Sequence, residues 1–112
     1  MTAGDIALTA LPQADGSSKI RPVRLLKRFP PFGDFLVSGV SSQIHQEVPG
    51  FDYVIAAGSA EFGSSGLKVA SLVRLGYLVV LPESHFAGRL GSVSPATLSL
   101  LLRRLSDYLV KP

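Results

Sequence analysis

Short apolar runs alternate with glycine-, proline- and serine-rich breaks over most of the chain, and only its C-terminal end has a helical period. Apolar runs of this length bounded by turn residues are typical of β-strands. They predict strands at Ile6–Leu11, Ile20–Arg28, Asp34–Ser42, Tyr53–Ala57, Ser71–Arg74, Tyr77–Leu81 and Ala87–Val93. The stretch GSAEFGSSG, residues 58–66, predicts a flexible loop by its composition.

Two glycines have specific meanings within this pattern. Gly16 follows Asp15 at the centre of the polar segment QADGSSK, and this dipeptide supplies the positive φ of a tight hairpin turn. Gly39 lies inside a predicted strand, which indicates a bulge or a close approach of another part of the chain. The first two strands are therefore predicted to form a hairpin.

A single amphipathic helix is predicted to end the chain. Ser94 and Pro95 match an N-cap followed by a proline at the first helical position. Apolar residues then recur at helical spacing, at Leu98, Leu101, Leu102, Leu105, Tyr108 and Leu109. Short strands with one terminal helix predict a mainly β fold, a small barrel with a C-terminal amphipathic α-helix, in one domain spanning residues 1–112. The connections are too short for parallel crossovers.

Composition narrows the class of protein. Hydrophobic residues make up 46% of the chain and charged residues 17%, a balance that excludes a disordered chain. The absence of cysteine excludes disulfides and thiolate metal sites. No apolar run approaches the roughly 18 residues of a membrane span, and the N-terminal residues do not resemble a secretory signal, so we expect a cytoplasmic protein. The net charge of +3 is compatible with an anionic partner.

Most signatures of catalytic chemistry are missing. Neither GxxxxGK[ST] nor GxGxxG occurs, so no phosphate-cradling loop is predicted. The two histidines, His45 and His85, have no acidic partners at ligand spacing, and we expect no metal site and no cofactor. His85 is read as a structural or solvated residue. His45 is either a solvated loop residue or a general base.

Two short polar segments contain the remaining candidate functional residues. Arg21-Pro22 begins an apolar strand directly after the hairpin turn, and a guanidinium there suits two oxygens of a phosphate. The segment Val40-Ser41-Ser42-Gln43 ends the third strand with hydroxyl and amide groups that bond phosphates or base edges. Taken alone, each has a plainer interpretation, a surface arginine in the first case and polar capping of a strand end in the second.

In their order along the chain, these segments resemble the MazF/PemK family of toxin endoribonucleases. The matching residues are Gly4-Asp5-Ile6, Gly16-Ser17, Arg21-Pro22-Val23, Ser41-Ser42-Gln43 and Gly91-Ser92-Val93-Ser94-Pro95. The resemblance implies an SH3-like barrel with a C-terminal helix that forms a homodimer and pairs with a cognate antitoxin. It also implies cleavage of single-stranded RNA at short sequences without metal, leaving a 2′,3′-cyclic phosphate and a 5′-hydroxyl.

The resemblance also implies roles for individual residues. Arg21 matches the arginine of the family's Arg-Pro motif, and Ser41 matches the hydroxyl residue, usually threonine, that completes the catalytic site. Substrate contacts are expected on polar segments, at Gly16, Ser17, Lys19, Arg24, Ser42 and Gln43. Phe29 and Phe32 could stack on bases, although core packing is expected for at least one of them.

Three departures from the family pattern keep other functions open. Serine stands at position 41, Arg24 occupies a position that is usually apolar and faces either a phosphate or an interface, and Ser71-Leu72 replaces an acidic residue and a glutamine. One alternative is therefore a catalytically degenerate barrel that serves as a binding module. Another is a relative that binds DNA or targets a protein such as gyrase.

Overall fold

The computed structural model describes all 112 residues and contains one six-stranded antiparallel sheet. The strands are β1 (Asp5–Pro12), β2 (Ser18–Phe29), β3 (Asp34–Ser41), β4 (Tyr53–Ile55), β5 (Ser71–Leu81) and β6 (Phe86–Ser92). Their spatial order is β4-β5-β3-β2-β1-β6. The helices are α1 (Ala60–Ser65) and α2 (Pro95–Leu109), and short 3-10 turns lie at Ile44–Gln46 and Glu83–His85. The sheet curls into a half-barrel whose edges are β4 and β6, which confirms the mainly β class with a C-terminal helix.

Local signals in the sequence located the hairpin and the last helix correctly. β1 pairs with β2, and Gly16 in the turn has a φ of +87°, the left-handed value that glycine adopts readily. Ser94 caps α2 by accepting a hydrogen bond from the backbone N–H of Thr97 at 3.2 Å, with Pro95 at the helix start. No helix of the structure has the length and apolar character needed to cross a membrane.

The segment predicted as a flexible loop contains α1 instead, so that prediction is wrong. Local composition disfavours a helix here, and a helix of one to two turns is not stable on its own. Tertiary contacts stabilise it. The Glu61 carboxylate accepts hydrogen bonds from the Tyr53 and Thr97 hydroxyls at 2.8 and 2.6 Å. The helix ends at Gly66, whose φ is +74°.

Both faces of the sheet are apolar, and each supports its own core. The first core lies beneath α2 and includes Ile6, Leu26, Val40, Ile55, Val73, Leu75, Val93, Leu101 and Leu105. The second lies on the opposite face of the sheet and includes Ala7, Leu11, Val23, Leu25, Phe35 and Val37. Neighbouring residues such as Ile6 and Ala7 enter different cores because successive strand residues point to opposite faces.

Irregularities in the ladder let single strands serve both cores. Leu26 has no counterpart on β3, so Leu25 enters the second core and Leu26 the first. The segment Leu75–Tyr77 of β5 is likewise unmatched on β3, because Arg74 pairs with Gly39 and Leu78 with Ser38. β5 is therefore one bulged strand rather than the two predicted. The buried carboxylate of Asp52 accepts the Leu75 N–H at 3.1 Å.

Candidate functional site

Arg21 and Ser41 lie beside each other at the open end of the second core. Val23 pairs with Gly39, and continuing this antiparallel register by two residues sets Ser41 opposite Arg21 on the same face of the sheet. Both side chains line the same two adjoining cavities. Two residues twenty positions apart in sequence thus meet because β2 and β3 are neighbours in the sheet.

The two cavities form one groove with Arg21 and Ser41 at its centre. The polar arm has a volume of about 180 Å³ and is lined by Leu11, Gln13, Gly39, Gln43, Arg74 and Tyr77 as well as by the central residues. The other arm, about 360 Å³, is more apolar and is lined by Leu8, Pro22, Gly66, Leu67, Lys68, Val69, Ser71 and Leu90. Val40 and Ser42 contribute to both arms.

The hydroxyl of Ser41 has a defined orientation. Its oxygen accepts a hydrogen bond from the backbone N–H of Gln43 at 3.0 Å, in the turn that follows β3. A hydroxyl that accepts one bond keeps its own proton available for donation. Ser41 can therefore donate a hydrogen bond to an anion in the groove, while the amide of the exposed Gln43 side chain lies on the polar arm.

The groove carries positive charge only. Arg21, Arg74 and Lys68 line it, and no aspartate, glutamate or histidine does. None of the three cations takes part in an ion pair within the chain. A concave surface with unpaired charges of one sign concentrates ligands of the opposite sign, and forked guanidinium groups match two oxygens of a phosphate. The arrangement suits a phosphodiester chain.

Three residues of the polar arm were missed in the sequence analysis: Gln13, Arg74 and Tyr77. Arg74 was detectable as a charged residue within an otherwise apolar strand. Tyr77 packs on Gly39, where a β-carbon would lie 3.3 Å from the tyrosine ring, and this close approach confirms the expectation for that glycine. The Tyr77 hydroxyl also donates to the carbonyl of Pro12 at 3.3 Å, which joins the base of the hairpin to the bulge of β5.

The hairpin residues do not line the groove. Gly16, Ser17 and Lys19 are exposed on the β1–β2 hairpin beyond it. The carboxylate of Asp15 accepts hydrogen bonds from the Ser17 hydroxyl and backbone N–H at 2.6 and 2.9 Å, which lowers the pKa of this carboxyl. The turn is internally ordered, and its substrate contacts stay a prediction.

Arg24 contradicts the expected substrate contact. Its side chain is fully buried and lines neither arm of the groove. The reason is the strand period: Arg21 and Arg24 are three residues apart on β2, so their side chains point to opposite faces. Arg24 enters the interior beneath the helices, close to Glu61 and Tyr53.

Other candidate residues lie outside the groove. His45 is exposed in the 3-10 turn after β3 and does not line it. The exposed fractions are 38% for Phe29 and 86% for Phe32, so the expectation that one of them is a core residue is wrong. Ser71 lines the apolar arm, and Leu72 is buried. No group of three or more His, Asp or Glu side chains lies close enough together to hold a metal ion.

Comparison with known proteins was made at the levels of sequence and structure. No protein-family model matches the sequence, and no curated protein sequence matches it significantly. A mycobacterial endoribonuclease, solved in complex with its cognate antitoxin, has a TM-score of 0.73 and 15% identity, covering 100% of this chain and 97% of the other. The Mycobacterium tuberculosis toxin MazF-mt6 has a TM-score of 0.67 and 18% identity, covering 94% of this chain and 95% of the other. The chain therefore has the MazF-type fold along its whole length.

Proposed function

We propose that this protein is a MazF-type toxin that cleaves single-stranded RNA without a metal ion at short recognition sequences. The observation that carries the proposal is the meeting of Arg21 and Ser41 at the centre of a groove whose charged residues are all cationic. Two structural neighbours described as an endoribonuclease and a MazF toxin support it through their shared fold.

In the proposed reaction, the ribose supplies the nucleophile. The 2′-oxygen loses its proton and forms a bond to the adjacent phosphorus, and the bond from phosphorus to the 5′-oxygen breaks. The 5′-oxygen takes up a proton, so the products are a 2′,3′-cyclic phosphate and a 5′-hydroxyl. The barrier arises largely from the extra negative charge on the pentacoordinate phosphorus, which fixed donors stabilise.

The chain's own residues supply these donors. The Arg21 guanidinium binds two phosphate oxygens, and the Ser41 hydroxyl, whose oxygen is fixed by the Gln43 N–H, donates to one of them. Arg74 provides a second guanidinium on the polar arm. Hydrogen bonds that exist only with the transition state raise kcat rather than lowering KM.

The two arms are proposed to hold the nucleotides on either side of the cleaved bond. On the polar arm, Gln13, Ser42 and Gln43 offer hydrogen-bonding groups for base edges, and the Tyr77 ring offers a stacking surface. On the other arm, Lys68 attracts a phosphate next to an apolar surface. Gly16, Ser17 and Lys19 are proposed to contact the RNA strand beyond the polar arm.

The same groove is proposed as the site of control by a partner protein. A flexible acidic or apolar segment of a cognate antitoxin would cover Arg21 and exclude RNA. An acidic segment would also complement the charge of the three groove cations. One structural neighbour is described as an endoribonuclease in complex with its cognate antitoxin. A homodimer, as in MazF-type toxins generally, belongs to the same proposal.

Cleavage of unstructured RNA in the presence of EDTA tests the proposal. The wild-type protein is expected to cut, and Arg21→Ala is expected to abolish cutting while the fold is retained. Arg103→Ala is the matched control, because Arg103 is exposed on α2, outside the groove. A substrate with a single 2′-deoxynucleotide at the cleaved position is expected to resist. Cleavage of that substrate would contradict the assignment of the 2′-hydroxyl as the nucleophile. If the protein cuts no RNA at all, the proposed endoribonuclease activity is wrong.

One observation favours a second candidate function, a binding module without catalysis. No carboxylate or imidazole lines the groove to accept the 2′-hydroxyl proton. The resemblance to the MazF/PemK family also implies an acidic residue and a glutamine where this chain has Ser71-Leu72. In that case RNA or a partner protein binds at Arg21 and no bond breaks. Filter binding alongside the cleavage assay separates the two functions, since the binding module retains RNA and leaves it intact.

A further inference from the structure

Arg24 is an unusual residue for the interior of a small domain. It pairs with Ile6 and Ser38 in the sheet, its side chain is fully buried, and none of its Nε, Nη1 and Nη2 atoms has a hydrogen-bond partner. The hydroxyl of its cross-strand neighbour Ser38 is also buried without a partner. Burial lowers the pKa of Arg24 to about 10, so its guanidinium is charged at neutral pH. A buried charge is costly unless an opposite charge compensates it.

Glu61 on α1 supplies the compensating charge. Its Oε1 accepts the hydrogen bonds from Tyr53 and Thr97, whereas Oε2 is buried and has no partner. Burial alone would raise the pKa of this carboxyl. The hydrogen bonds from Thr97, Tyr53 and the Ser94 backbone, together with the Arg24 charge, outweigh burial and lower it. Glu61 is therefore ionised, and the two charges attract each other across the interior without a direct ion pair.

The position of α1 matters for the groove. After α1, the chain continues through Gly66, Leu67, Lys68 and Val69, which form one wall of the apolar arm. At Gly66 a β-carbon would lie 2.2 Å from the carbonyl oxygen of Leu90, so this wall is packed against β6 with no space to spare. A helix of six residues needs an anchor at its other end, and Glu61 is that anchor.

We infer that the buried Arg24 and the partly buried Glu61 act as a pair of positioning residues that fixes α1 and, through it, the Gly66–Val69 wall of the groove. The expected effect on RNA binding rests on the proposed function. The anchoring of α1 by Arg24 and Glu61 does not depend on it. Arg24 contacts no substrate. It acts from the opposite face of β2 to Arg21, so the strand carries one arginine that faces the groove and another that supports its wall.

A double-mutant cycle in the full chain tests the pairing. The variants are Arg24→Met, Glu61→Gln and the double variant, with Arg103→Met as the control for arginine removal at an exposed site. The readout is hydrogen exchange at the amides of residues 60–67 relative to those of α2. Each single variant is expected to accelerate exchange at least about tenfold, because Glu61→Gln leaves the buried Arg24 charge uncompensated and Arg24→Met removes the charge that attracts Glu61.

The double variant distinguishes a charge pair from two independent packing residues. With both charges absent, exchange is expected to be slower than in either single variant, whereas additive effects would overturn the inference. Uniform acceleration throughout the chain would also overturn it. If Arg24→Met fails to fold, recovery of folding in the double variant supports the pairing and its absence refutes it.

RNA kinetics provide the functional readout. Glu61→Gln is expected to raise KM while kcat stays within about threefold, because the wall moves but Arg21 and Ser41 remain fixed by the sheet. A fall in kcat with unchanged KM would contradict the positioning role. If the wild-type protein cuts no RNA, the proposed function is wrong. The double-mutant cycle measured by hydrogen exchange still tests whether Arg24 and Glu61 anchor α1.

Discussion

Ser41→Ala should separate catalysis from stability, because the hydroxyl lies at the groove centre and makes one exposed contact. The lost bond joins Ser41 Oγ to the Gln43 backbone N–H at 3.0 Å, and water can replace it at this exposed position. The free energy of unfolding is therefore expected to fall by less than about 1 kcal/mol. Removal of one donor aimed at the transition state typically costs about 3–4 kcal/mol, or roughly 100- to 1,000-fold in kcat.

The assay is single-turnover cleavage of unstructured RNA in EDTA at fixed ionic strength, with chemical denaturation of the same samples. Ser41→Thr is the matched control, since it keeps the hydroxyl and is expected to retain a rate within about tenfold of wild type. A Ser41→Ala protein that cuts at the wild-type rate would refute the role of the hydroxyl. A large loss of stability with a proportional loss of rate would assign the residue to folding instead.

Three further predictions concern packing, charge and pH. Gly91→Ala should destabilise by about 1–3 kcal/mol, because a β-carbon there would lie 2.2 Å from the Ser64 carbonyl oxygen. Gly88→Ala on the same strand is the control, because a β-carbon at Gly88 has no neighbour within 4 Å. Equal melting temperatures for the two variants would contradict the predicted clash at Gly91. Lys68→Ala should weaken RNA binding and reduce the slope of log affinity against log salt by about one, measured by filter binding; an unchanged slope would remove Lys68 from the interface. The lowered pKa of Glu61 contributes stability above the unfolded-state pKa of the carboxyl, and that contribution is lost as pH falls through the lower folded-state pKa. Glu61→Gln should therefore flatten the acid limb of the stability curve, and an unaltered limb would refute this assignment.

The parts of the fold that were predictable are those set by local chemistry. The hairpin turn needs a residue that tolerates positive φ, and Gly16 supplies it; α2 has both a capping residue and an apolar face. α1 was missed because its stability comes from residues distant in sequence. Tyr53 and Thr97 bind its carboxylate from β4 and α2, and no local pattern in GSAEFGSSG reports those bonds.

The candidate site was predictable in its centre and less so in its walls. Arg21 and Ser41 were singled out by motif, and antiparallel pairing brings them together. Arg24 does not line the groove, because a spacing of three along a strand turns its side chain away from that of Arg21, and the two-residue period of a strand is enough to predict this. The polar arm was less predictable, because the bulge at Leu75–Tyr77 joins the two predicted strands into β5 and brings Arg74 and Tyr77 to the same cavity.

The bulge at Leu75–Tyr77 sets the register in which the second half of β5 pairs with β3. Three residues without partners on β3 are an odd number, so the strand reverses its faces at this point: Tyr77, Val79 and Leu81 turn towards the second core, and Leu78 and Val80 towards solvent. A one-residue slip of Leu78–Leu81 against β3 would exchange the two sets. Both sets are largely hydrophobic, so the altered strand would still find apolar neighbours, but the tyrosine ring would leave Gly39 and the polar end of the cleft would lose its floor. Substitutions in this segment are therefore better tolerated than a shift in its pairing with β3.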